Sequence, residues 1–121
     1  MGFSTGGNEA IRINAVQQVG LAETNPTSTL DVNGSFATAA VQQGGGYSIA
    51  GSDHTVVITS IGLVNLPTAS TVPGRILILK NSSGGIVQTN TPYNNTNGIP
   101  TVDVSGVVWL QSIAGNWEQI N

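Results

Sequence analysis

With 121 residues, no cysteine, and only Arg12, Arg75 and Lys80 as cations against six acidic residues, the chain carries a formal net charge of −3. That length holds one modest domain or a thin arm plus a smaller one, and the charge balance leaves no basic footprint for nucleic acid or an anionic membrane surface. The lack of cysteine excludes a disulfide framework and thiol-based metal or redox chemistry, while 16 glycines with only 7% charged residues favour turn-rich β-structure over a helical bundle.

Taken in order, residues 1–10 are Gly-rich and polar and are expected to form a flexible or docking arm. They lack the charged and apolar regions of a signal peptide, so a product kept in a cytosol until assembly is expected, and no run approaches membrane-spanning length. Residues 11–34 hold three short extended pieces, 11–13, 19–21 and 29–32, separated by Gly20, Asn25-Pro26 and Asn33-Gly34, the residues of rapid chain reversal. No piece carries enough apolar area to bury a core alone, so Leu21, Leu30 and Val32 need partners. The small side chains of residues 35–41 suit a strand or short helix at a crowded interface. Gln42-Gln43-Gly44-Gly45-Gly46 is the strongest linker signal and sets the expected boundary between residues 1–45 and 46–121.

Beyond it the pattern is β. Strands are expected over 47–50, 55–60, 62–66, 75–80 and 86–89, with Arg75-Ile76-Leu77-Ile78-Leu79-Lys80 as the strongest and buried on both faces. Residues 91–100 are expected as a long polar loop with Tyr93 at its tip. A closing hairpin of 107–112 and 116–120 with the loop Ala114-Gly115-Asn116 puts Val108, Leu110 and Ile120 on the core face and Trp109 and Trp117 on the other.

The run containing Arg12-Ile13, Val19-Gly20-Leu21, Thr24-Asn25-Pro26 and Leu30-Asp31-Val32-Asn33-Gly34 resembles the stalk or anchor element of phage tail-fibre, head-fibre and spike proteins, also met in surface proteins of Bacteroidetes. It departs from that pattern at Gln18 and Ala22-Glu23, where Gly, Gly and Thr are usual. The resemblance implies a virion subunit assembled in the host cytoplasm: an all-β homotrimer with a docking and oligomerisation stalk over 1–45. Over 46–121 it implies a small antiparallel β-sandwich-like head. The implied partners are other virion proteins, at a capsid vertex or tail, through the N-terminal segment.

Enzymatic chemistry has little to stand on. His54 is the only histidine, with no nucleophile motif around it, and the six carboxylates are dispersed singly, without the clustering calcium wants. No catalytic residue, cofactor or metal ligand is nominated. Asn-x-Ser/Thr matches such as those at Asn81 and Asn94 follow from an Asn-rich composition. The aromatic residues are better candidates: Tyr93 and Trp109 for stacking against the sugar rings of a host glycan, and Trp117, with Leu21, Leu30 and Val32, for an oligomer interface. The expected function is host-surface attachment by a fibre or spike subunit. A purely structural capsid decoration or adaptor protein, and a fragment of a bacterial adhesin, are the competing readings.

Overall fold

A computed structural model describes residues 1–121 and contains no α-helix: twelve strands and a single 3-10 turn at Ala69–Thr71 make the chain all-β, as expected. It divides into two compact units, Met1–Ala37 and Thr38–Asn121.

The first unit is one four-stranded sheet. The strands are β1 (Gly2–Thr5), β2 (Asn8–Ile13), β3 (Val19–Leu21) and β4 (Leu30–Val32), adjacent in chain order. The expected flexible arm is therefore half of a hairpin, β1 against β2, closed by a two-residue turn at Gly6-Gly7. β2 and β3 pair antiparallel and β3 and β4 parallel. The β2–β3 reversal is built by Asn14, whose Oδ1 accepts the backbone N–H of Val16 (3.1 Å) and of Gln18 (3.0 Å) while its Nδ2 donates to Gln18 Oε1 at 2.8 Å. Gln18, a departure from the stalk pattern, thus has its own work in this turn.

In the second unit the strands are β5 (Ala40–Gln43), β6 (Thr55–Ile58), β7 (Gly62–Val64), β8 (Ile76–Asn81), β9 (Val87–Asn94), β10 (Pro100–Asp103), β11 (Val107–Ile113) and β12 (Asn116–Gln119). They form one sheet in the order β10-β9-β12-β11-β8-β6-β5, with β7 also on β9. The pairing is mixed rather than antiparallel throughout: β5–β6, β6–β8, β7–β9 and β9–β12 are parallel. Residues 46–49 continue from β5 and run beside β7, through Gly46 N–H to Leu63 O (2.6 Å), Asn65 N–H to Tyr47 O (2.8 Å) and Ile49 N–H to Asn65 O (3.0 Å). That closes the circuit of pairing into two layers around one core and hides most strand edges.

Gln42-Gln43-Gly44-Gly45-Gly46 is therefore a corner where one strand changes layer, and the units divide between Ala37 and Thr38 instead of at 45/46. The glycine run that suggests a linker is there for close packing: a β-carbon on Gly45 would stand 2.1 Å from Ile61 O. The core gathers Val56, Ile58, Val64, Leu66, Leu77, Leu79, Val87, Val108, Leu110 and Trp117 from strands of both layers. β8 alternates in the ordinary way, with Leu77 and Leu79 buried and Ile76 and Ile78 half-buried on the outer face.

The closing hairpin differs by one residue from the expected register. Its turn is Ala114-Gly115, both at positive φ (50° and 83°), which pairs Leu110 with Gln119 and Ser112 with Trp117. Trp117 accordingly points inward, 2% exposed, and its Nε1 donates to Pro67 O at 2.9 Å.

Candidate functional site

The registers of the N-terminal sheet sort its side chains by chemistry. Met1 lies opposite Ile13 and Phe3 opposite Ile11; Ile11 and Ile13 face Leu21 and Val19; Val19 and Leu21 face Leu30 and Val32. Neighbours across a ladder share a face, so these eight apolar residues cover one side of the sheet. The other side carries Arg12, Gly20 and Asp31 in register. A bulge in β2, between the pairs Phe3↔Ile11 and Ser4↔Glu9, turns Glu9 to that same side. There Arg12 Nη2 donates to Glu9 Oε2 at 2.6 Å. Arg12's hydrogen bond holds the Glu9 carboxyl below its usual range, and Glu9 in turn raises Arg12.

Nothing within the unit covers the apolar side. No apolar side chain of Met1–Ala37 belongs to the buried core, and in that segment only Gly20 and Pro26 are buried. Leu30 is 59% exposed and Phe36 79%. Leu21, Leu30, Val32, Gly34 and Phe36 line an apolar hollow of about 450 Å³. Three of the four residues nominated for an oligomer interface therefore meet in one place. Sequence reasoning missed Met1, Phe3, Ile11, Ile13, Val19 and Phe36. The signal for five of them was present as i, i+2 apolar spacing in each short strand.

The remaining nominations fare differently. Trp117 is a core residue of the second unit and not an interface residue, because the two-residue hairpin turn reverses its face. Tyr93 is not at a loop tip. Residues 91–94 continue β9, the connecting loop is only 95–99, and Tyr93 is 3% exposed with its hydroxyl donating to Asp103 O at 2.6 Å. Burial is the main reason its phenol is raised above the ordinary value. Trp109 does reach the surface, 43% exposed, but the register sets it among Val107, Ile78 and Ile120, with Gln111 the one polar neighbour along its strand. Asp53 is buried and accepts the Tyr47 hydroxyl (2.8 Å) and the Ala50 N–H (2.7 Å), and His54 Nδ1 sits 3.1 Å from Thr55 Oγ1. Both belong to the turn before β6. No three residues among His, Asp and Glu converge as a metal site.

No protein-family model matches this chain, and no curated protein or solved structure is similar enough to count as a relative.

Proposed function

We propose that the chain is a subunit of a bacteriophage fibre or spike, a homotrimer joined through its N-terminal sheet. That segment mounts the assembly on capsid or tail proteins, and the heads face the host surface. The observation that carries this reading is the uncovered apolar side of the Met1–Ala37 sheet. A single-layer sheet with a whole apolar face is not stable in water by itself. Units below about 40 residues generally need disulfides, metal or association. The chain has no cysteine, its His, Asp and Glu side chains do not gather in threes, and association is the route this reading takes. Burying a Leu, Ile, Val or Phe contributes about 1.5–3 kcal/mol each, so a few such residues per copy suffice to drive it. The stalk-like residues Val19-Gly20-Leu21 and Leu30-Asp31-Val32-Asn33-Gly34 fall within this sheet and its exit.

Light scattering on the purified chain and on Leu30→Asp tests the reading. The expected result is a trimer mass for the parent and a monomer for the variant, with the near-ultraviolet signal of buried Trp117 unchanged. A parent that stays monomeric at high concentration overturns it.

A structural decoration or adaptor role is the second reading, favoured by the burial of Tyr93, one of the two aromatics suited to a glycan. Soluble protein that blocks adsorption of particles to cells supports host attachment. Particles that lose stability on depletion of the protein, with adsorption unblocked, support the adaptor.

A further inference from the structure

The second unit carries two separate apolar patches, one on the outer side of each layer. The first lies on β11 and the residue after β12: Val107, Trp109 and Ile120 are exposed together, backed by half-buried Ile78 on β8, and exposed Ile113 stands at the far end beyond the Gln111–Glu118 pair. The second lies beside β7 and the start of β9, where Ile61, Leu63 and Ile86 are exposed around a hollow of about 600 Å³. Contiguous exposed apolar surface on a small domain marks an interaction site, and this domain has two.

Each patch has one charge of opposite sign at its rim, Lys80 at the first and Asp103 at the second. Lys80 pairs across the strand with Val107 and stands exposed at the rim of the first patch. Of the cations in this unit, Arg75 is held by the carbonyls of Ala50 (2.5 Å) and Asp53 (2.8 Å), which leaves Lys80 without a partner in its own chain. Asp103 stands at the rim of the second patch, its Oδ1 accepting Gln88 Nε2 at 2.8 Å, a neutral donor that leaves the negative charge unmatched. The first patch also bears Glu118, which Asn94 Nδ2 engages at 2.7 Å.

An isologous pair of heads uses one patch against itself. A ring uses two different patches, each copy giving one to either neighbour. We propose that the Trp109 patch of one head docks on the Ile61–Leu63–Ile86 patch of a second copy of this chain, with Lys80 against Asp103, so that the heads close a ring. This rests on the trimer reading above and adds a second contact to it, one that forms only when the N-terminal sheets hold the copies together.

The cysteine-free sequence makes thiol cross-linking a clean test on the full chain. The double variant Ile113→Cys/Ile86→Cys, treated with a short bismaleimide, is expected to give covalent dimers and trimers, and each single variant is expected to give neither. Lys80→Asp in the double variant is expected to slow cross-linking several-fold, and adding Asp103→Lys to restore it. Cross-linking of the Ile113→Cys variant alone, or no rescue by the charge swap, overturns the proposal. So does an uncross-linked double variant that light scattering still finds trimeric, and in that case the N-terminal assembly stands. A monomer by light scattering overturns both.

Discussion

Gly20 lies directly against the backbone carbonyl of Glu23: a β-carbon at residue 20 would stand 2.0 Å from that oxygen. The turn after β3, with Ala22 at a φ of 52°, folds back across the polar side of the sheet and leaves no room for a side chain. Gly20→Ala is therefore expected to open this turn and to unseat β3, the strand that joins β2 to β4. Its light-scattering mass should fall to that of a monomer, while the near-ultraviolet signal of Trp117 stays in place. A Gly20→Ala protein with the parent's mass would show that the close approach is dispensable.

The corner at Gly45 is constrained in the same way within the second unit. Gly45→Ala forces the Ile61 backbone outward, and overpacking of this kind costs on the order of 1–3 kcal/mol. Gly51, whose β-carbon would meet nothing within 4 Å, is the matched control. Urea denaturation should place Gly45→Ala well below the parent and Gly51→Ala within about 0.5 kcal/mol of it.

The two tryptophans separate stability from association. Trp117→Ala removes a core ring and its hydrogen bond to Pro67, an expected loss of about 3–5 kcal/mol in urea denaturation. Trp109→Ala touches only the outer face and should cost the second unit less than about 1 kcal/mol. Its effect belongs instead in the efficiency of the Ile113–Ile86 cross-link. Equal losses of stability for the two variants would contradict this division of roles.

The fold class was legible because the turn residues and short β-prone runs were local signals, and so was the lack of a buried core around Leu21, Leu30 and Val32. Features set by approach between distant segments were not legible. Gly44-Gly45-Gly46 resembles a linker in composition, and only the proximity of Ile61 shows it to be a packed corner. Ala114-Gly115 lacks the Asn-Gly or Asp-Gly signature of a two-residue turn, so the register slipped by one and Trp117 changed sides. Tyr93 follows Pro92 in a polar stretch, yet a strand runs through both because β10 and β12 flank it. Phe3 lies in a Gly-rich segment whose strand pairing depends on Ile11, eight residues on.

Alkaline pH probes two phenols from the inside. Tyr47 is raised above the ordinary 10.0 chiefly by its hydrogen bond to Asp53, with burial and the Asp53 charge adding to it. Tyr93 is raised from the same value by burial and then by the charge of Asp103. A raised phenol means that the folded protein favours the neutral form more than the unfolded chain does. The resulting stability is fully present below the unfolded value and is lost as pH rises through the folded value. Unfolding midpoints in urea should therefore hold steady up to about pH 10 and decline above it. Tyr47→Phe, which cannot ionise, should be less stable than the parent at neutral pH, because Asp53 loses a donor. The same variant should show a shallower alkaline decline. Ultraviolet titration of phenolate gives the direct measurement: both tyrosines should ionise above the ordinary range in the folded protein, and Tyr47→Phe should remove one of the two late steps. Two phenols titrating together at the free-tyrosine value would show that neither the Asp53 hydrogen bond nor the burial of Tyr93 holds in solution.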